Sequence, residues 1–134
     1  MFCLDTDVLS FLISRSPPLG LLRRLADVPA TDQCTTSITL GEMLYGAARR
    51  GRASLIERID QMVRREFPVI AFDETAAENY GPLRASLESR GLPLADADLR
   101  IASICLAGDL TLVTGNLRHF SRVPGLRVEN WLAG

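Results

Sequence analysis

The stretch Phe2-Cys3-Leu4-Asp5-Thr6-Asp7-Val8-Leu9-Ser10-Phe11-Leu12-Ile13 decides the fold. A short apolar run stops at an acidic turn, and apolar residues then resume with helical clustering, which reads as strand, acidic turn, helix. The same alternation continues along the chain. Pro17-Pro18 breaks it, Leu19 to Leu25 is a second short helix, and Pro29 to Asp32 forms a turn. Cys34 to Ile38, rich in Thr and β-branched types, is a second strand, with Thr39 as N-cap of a helix whose early residues include Glu42. Ser54 to Arg65 carries a helical stripe of Leu55, Ile56, Ile59, Met62 and Val63, and Pro68 to Phe72 is the third strand.

Asp73 to Thr75 offers N-cap chemistry for a long helix to about Ser89, with Gly91 as its stop. A helix from about Asp96, apolar around most of its circumference, must be central. Leu110 to Thr114 is a fourth strand, Gly115-Asn116 a turn, and a short helix through Phe120 and a strand at Leu126 to Val128 or a little beyond finish the chain. Strands alternating with helices imply right-handed β-α-β crossovers. The expected architecture is a three-layer α/β/α sandwich with a central, mainly parallel sheet of four to five strands.

Composition narrows the function. With 134 residues the chain has room for one sizeable core, so residues 1–134 are read as a single domain with one site. No apolar run approaches the roughly 18 to 20 residues of a membrane span, and the N-terminus lacks a signal-peptide pattern, so the expected location is cytoplasmic with no membrane partner. Cys3, Cys34 and Cys105 are odd in number and lie in apolar runs, which argues for buried thiols over disulfides or a zinc site. All 15 basic residues are Arg. A GC-rich genome would produce that bias, and Arg forks also suit phosphate. Arg23-Arg24, Arg49-Arg50-Arg52 and Arg64-Arg65 are the candidate RNA contacts, each equally readable as a solvated helix face.

In open α/β sheets, ligands bind beyond the carboxyl ends of the strands. There this sequence is acidic: Asp5 follows the first strand, Glu42 lies on the helix after the second, Thr114 and Asn116 follow the fourth, and Asp96 and Asp98 open the central helix. Carboxylates brought together repel unless protons or cations neutralise them. Oxygen ligands without His or Cys suit Mg²⁺ or Mn²⁺, and such an ion supports phosphodiester hydrolysis. Each acid has a plainer reading: Asp5, Asp7 or Asp96 as a helix cap, Glu42 as a partner of the helix dipole, Asn116 as a turn residue. Their joint placement at strand ends favours a site. His119, the only histidine, is read as a substrate contact or a packing residue, not the general base, and Trp131 as terminal packing.

Four segments then carry a resemblance: Leu4-Asp5-Thr6-Asp7, Ser37-Ile38-Thr39-Leu40-Gly41-Glu42-Met43-Leu44-Tyr45-Gly46, Asp98-Leu99-Arg100-Ile101-Ala102, and Leu112-Val113-Thr114-Gly115-Asn116-Leu117-Arg118-His119-Phe120. In order and separation they resemble the motifs of VapC-type toxins of the PIN-domain family, over almost the whole chain. The resemblance implies a toxin of a type II toxin–antitoxin system: a Mg²⁺- or Mn²⁺-dependent endoribonuclease cutting structured RNA such as tRNA. It also implies a homodimer, held inactive by a small VapB-like antitoxin that supplies the contact with DNA. Asp5, Glu42 and Asp98 correspond to metal-site acids and Asn116 to a fourth catalytic position. Thr6, Ser37 and Thr114 fall on hydroxyl positions near the metal, with Asp96 and Arg118 as further supporting or substrate-contacting residues. Asp98 is preferred to Asp96 because it directly precedes Leu-Arg-Ile-Ala. Asn116, being neutral, offers only a carbonyl oxygen or an amide hydrogen bond, so a second ion would bind weakly.

Two other readings compete. A covalent phosphotransferase would use the Asp5-Thr6-Asp7 pair, but it wants a Lys partner and the chain has no lysine. A catalytically inactive PIN-like scaffold binding RNA or protein would be signalled by a lost core acid, and all three are present. An apolar stripe of Leu19, Leu21, Leu22 and Leu25 beside Ile56, Ile59 and Met62 is expected to form a groove for an amphipathic antitoxin segment.

Overall fold

The computed structural model describes residues 1–132. Its strands are β1 (Phe2–Leu4), β2 (Gln33–Thr36), β3 (Val69–Ile70), β4 (Thr111–Val113) and β5 (Val128–Glu129). The helices are α1 (Thr6–Leu12), α2 (Leu19–Asp27), α3 (Ser37–Arg49), α4 (Ala53–Ile59), α5 (Glu74–Ser89), α6 (Asp96–Ala107) and α7 (Leu117–Phe120). The sheet runs β3-β2-β1-β4-β5 with every pairing parallel. From β1 the chain winds outward to β3 on one side, then crosses back to β4 and β5 on the other. The strand order therefore reverses between β1 and β4, where such sheets open a crevice.

Alternation along the strands builds two cores. Cys3 of β1 and Leu112 of β4 pack with Leu87, Leu99, Ile101, Cys105 and Phe120 from α5, α6 and α7. Their chain neighbours Leu4 and Val113 pack on the opposite face with Val8, Leu9, Leu21, Met43 and Ile59 from α1 to α4. Successive side chains of a strand point to opposite faces, so short apolar strands covered on both sides give the expected sandwich. As expected, α6 is central, with Leu99 and the whole run Ile101–Cys105 buried. All three cysteines are buried and free. The neighbouring Cys105 thiol, together with burial, holds the Cys3 thiol well above its ordinary pKa. Trp131 is buried against Phe2, with ring centroids 5.1 Å apart. Among the described residues no helix is long and apolar enough to cross a membrane.

Several expected boundaries move. The second strand ends at Thr36, not Ile38, because the Thr36 side chain accepts from Thr39 N at 3.0 Å and starts α3 there. Thr36, not Thr39, is thus the N-cap, and Glu42 falls in the second turn of α3. The cap hydrogen bond outweighs the β preference of Ile38 and Thr39. The helix expected over Ser54 to Arg65 is α4 followed by a π-helical turn, Asp60–Arg64. β3 is confined to Val69–Ile70. Of the expected groove residues, Leu21 and Ile59 are buried core and are not among those that line the groove beside α2. Leu22, Leu25 and Met62 do, together with Leu12, Ala26 and Phe67, around a cavity of about 490 Å³.

Candidate active site

The ends of β1 and β4 are tied at the point where the strand order reverses. Asp5 N donates to Val113 O at 2.9 Å, and Thr114 Oγ1 donates to Asp5 Oδ2 at 2.8 Å. The other Asp5 oxygen accepts from Thr6 N at 2.8 Å, so Asp5 caps α1 while standing at the sheet edge. The cap reading and the site reading of Asp5 are compatible. Only 6% of Asp5 is exposed, and burial pushes its carboxyl up to about 6. The hydrogen bonds from Thr114 and Thr6 oppose that rise, and the charges of Asp7 and Asp98 add to it.

Asp98, in the first turn of α6, is half-buried. Its carboxyl is raised first by burial, then by the charge of Glu42, and further by Asp7, while His119 acts the other way. Glu42 reaches the same edge from α3, its Oε1 accepting from Thr6 Oγ1 at 2.7 Å. Thr6 Oγ1 also lies 3.4 Å from Thr39 Oγ1. Four acids, Asp5, Asp7, Glu42 and Asp98, are thus electrostatically coupled at one edge. None of them forms an ion pair with an arginine among the described residues.

Asn116 follows β4 and precedes α7. Its backbone N–H donates to Thr114 Oγ1 at 3.0 Å and its Nδ2 lies 2.8 Å from His119 Nδ1. An amide nitrogen only donates, so the ring nitrogen accepts and Asn116 Oδ1 stays available. Ser37 occupies the first position of α3, half-buried, and the hydroxyls of Thr36 and Thr39 are the ones in the hydrogen-bond chain toward Thr6. Arg118 is exposed on α7 without a carboxylate partner among the described residues.

Asp96 is not part of this group. Tyr80 donates a short hydrogen bond to its Oδ1, and Arg100 Nε donates to Oδ2 at 2.7 Å. These contacts, Tyr80 first, hold its carboxyl below the usual range. Nor is Asp96 the cap of α6: Ala95 takes that position without a side-chain hydrogen bond.

Asp7, a cap candidate in the sequence, joins instead. Its Oδ1 accepts from Val8 N at 2.7 Å and its Oδ2 from Gly115 N at 2.8 Å. A Cβ at position 115 would stand 2.8 Å from Asp7 Oδ2, so only glycine lets the β4–α7 turn approach so closely. The signal available in the sequence was the Gly directly after the fourth strand together with the Asp-x-Asp after the first.

The donor set is oxygen only and its charge is uncompensated, which suits a hard divalent cation. Among the described residues no three His, Cys, Asp or Glu side chains close into a cage around a common point. Mg²⁺ keeps several waters and is commonly bound through one or two carboxylates, so an open edge of this kind fits it.

Residues 2–126 match the PIN domain. The chain is 33% identical to the tRNA(fMet)-specific endonuclease VapC of Salmonella typhimurium, over 97% of each chain. It is 35% identical to the protein of the same name from Shigella flexneri, again over 97% of each. Among solved structures it is similar to VapBC2 from Rickettsia felis bound to a DNA fragment from their promoter. There the TM-score is 0.88 at 31% identity, covering 97% of this chain and 98% of the other.

The chain belongs to the PIN-domain family. Within that family it is a VapC-type toxin of a type II toxin–antitoxin system, with nuclease activity, and so hydrolase chemistry, at the level of the family. The acidic edge between β1 and β4 is where this PIN domain gathers its uncompensated carboxylates.

Proposed function

We propose that residues 1–134 form a single nuclease domain that hydrolyses phosphodiester bonds in RNA with the help of Mg²⁺ or Mn²⁺, and that its substrate is a structured RNA such as tRNA. The observation that carries this is the group of coupled carboxylates at the strand-order reversal, buried enough to raise Asp5 to about 6, with no arginine ion-paired to them among the described residues. Asp5, Asp98 and Glu42 would hold the ion, which when bound supplies Lewis-acid polarisation of a phosphoryl oxygen and activation of water. Thr114 and Thr6 keep the Asp5 oxygens oriented and its carboxyl ionised. Glu42 is oriented by the Thr6 hydroxyl. Asn116, steadied by Thr114 and His119, offers its carbonyl oxygen to the same space. Exposed Arg118 would meet the RNA backbone.

The partners proposed are a VapB-like antitoxin, through which contact with DNA would be indirect, and a second copy of the chain in a homodimer. The support is the Rickettsia complex, which joins VapB, VapC and promoter DNA, and the cavity at Leu12, Leu22, Leu25 and Phe67 beside exposed Leu19. An apolar groove of that kind accepts an amphipathic segment. The location proposed is the cytoplasm.

Cleavage of small RNA by antitoxin-free protein, with and without Mg²⁺ or Mn²⁺, tests the activity beside an identically purified Asp5→Asn variant. Metal-dependent cutting is expected in the wild type. The variant should lose more than the roughly 100-fold typical of removing a partner that only supports a ligand. Equal cutting by both proteins, or metal binding without cleavage, would overturn the reading.

A further inference from the structure

The carboxylate edge by itself repels RNA, yet it opens onto a region of opposite sign. Thr6 and Glu42 are shared with a cleft of about 350 Å³ between α1 and the α3–α4 pair, whose walls carry Arg15, Arg50, Arg52 and Arg58. That volume lies in the range of pockets that take small ligands. Among the described residues five other arginines, 24, 64, 84, 100 and 127, are paired with carboxylates, whereas none of these four is.

The cleft is also held in shape. After α3 the chain turns through Gly51, at φ +64°. Gly51 N donates to Ala48 O at 3.0 Å and Arg52 N to Ala47 O at 3.2 Å. These paired bonds with a left-handed residue form a Schellman motif, which fixes the backbone on both sides of Gly51 and so the roots of Arg50 and Arg52. Across the cleft the Arg58 guanidinium donates to the Ile13 carbonyl, tying α4 to the end of α1.

We infer that this arginine-lined cleft seats a phosphate of the RNA strand next to the one being cut, with Arg50 and Arg52 as its principal donors. The inference rests on the carboxylate edge being an RNA-cleaving site. A strand whose scissile phosphate stands at Asp5 and Glu42 must carry its neighbouring charge through adjacent space, and on the Thr6–Glu42 side that space is this cleft. Guanidinium forks bind phosphate oxygens bidentately, and unpaired, backbone-anchored forks do so without first breaking an ion pair.

The test is binding of a fluorescent single-stranded RNA to Asp5→Asn protein, followed by anisotropy across a range of salt. Each phosphate contact to single-stranded RNA contributes about 0.7 to the slope of log affinity against log salt. Adding Arg50→Ala and Arg52→Ala together, which empties one phosphate seat, should lower that slope by about 0.7, and Lys at both positions should restore most of it. Removing the same charge at Arg84 and Arg127 should leave the slope unchanged. An equal fall in both double variants, no fall in either, or no measurable RNA binding overturns the subsite. An unchanged RNA slope with lost binding of polyglutamate assigns the cleft to an acidic protein instead. Should wild-type protein cut no RNA while the slope still falls, the nuclease reading fails and the subsite stands. Cutting with an unaltered slope has the reverse meaning.

Discussion

Asp98 and Asp96 leave the same turn of α6 and meet opposite surroundings. Asp98 lies half-buried where Glu42, Asp7 and, further in, Asp5 concentrate negative charge, and its carboxyl is raised. Asp96 lies exposed against α5, where Tyr80 and Arg100 bind both of its oxygens and lower its carboxyl. Arg100 itself spans the rings of Phe72 and Tyr80, at 5.1 and 5.3 Å from their centroids. Residues at i and i+2 of a helix do not share a face, so one turn can serve two environments. The compensated carboxylate is finished as a structural element. The group around Asp5 has no arginine partner among the described residues, as the proposed cation site requires, and that contrast can be broken by measurement.

The largest effect is expected in the pH dependence of stability without divalent ions. Asp5 has its folded pKa raised to about 6 from 3.8. Between those values the native state binds more protons than the unfolded one, so stability falls as pH rises through about 4 to 6. Asp5→Asn removes that dependence. Urea unfolding in chelator should therefore show wild type losing on the order of 3 kcal/mol relative to the variant between pH 4 and 7. Divalent cation at pH 7 should recover part of the loss for wild type alone. Parallel pH curves would mean that Asp5 is compensated after all.

A smaller change isolates the hydroxyl that holds Asp5. Thr114→Val keeps the shape and removes the donor to Asp5 Oδ2, and with it the acceptor for Asn116 N, whose loss does not vary with the charge of Asp5. It should cost about 1 to 3 kcal/mol at neutral pH, because a buried acceptor is left without its partner. The loss should shrink at pH 5, where Asp5 is largely protonated. A neutral substitution at pH 7 would show that water replaces the hydroxyl and that this edge is wetter than its burial indicates.

The position of the candidate site was legible because strand ends are marked by abrupt changes from apolar to acidic residues, as at Leu4-Asp5. The central placement of α6 followed from its near-continuous apolar circumference. What could not be read was local competition and tertiary pairing. Cys34 to Thr39 suits a strand throughout, and only the capture of Thr39 N by Thr36 ends it early. The stripe from Leu55 to Val63 keeps a helical period through a segment that widens into a π turn. Nothing near Asp7 in sequence announces Gly115, 108 residues away, and nothing near Asp96 announces Tyr80. Likewise Arg23-Arg24, Arg49-Arg50-Arg52 and Arg64-Arg65 looked alike, but Arg24 and Arg64 are ion-paired while Arg50 and Arg52 line the cleft.

The smallest effect should come from Asp96→Asn. Its partners are exposed, and exposed ion pairs contribute little because solvent screens them and long side chains lose freedom in forming them. The melting temperature should fall by no more than about 3 °C, and the difference should fade in high salt. RNA cleavage should stay within about twofold of wild type, since Asp96 is bound to Tyr80 and Arg100 and adds no charge to the cluster around Asp5. The chemical change is the same as in Asp5→Asn or Asp98→Asn, an oxygen exchanged for an amide nitrogen. A loss of cleavage at Asp96 as deep as at Asp5 would therefore place both carboxylates of this turn in the site, and the division drawn between the two sides of α6 would fall.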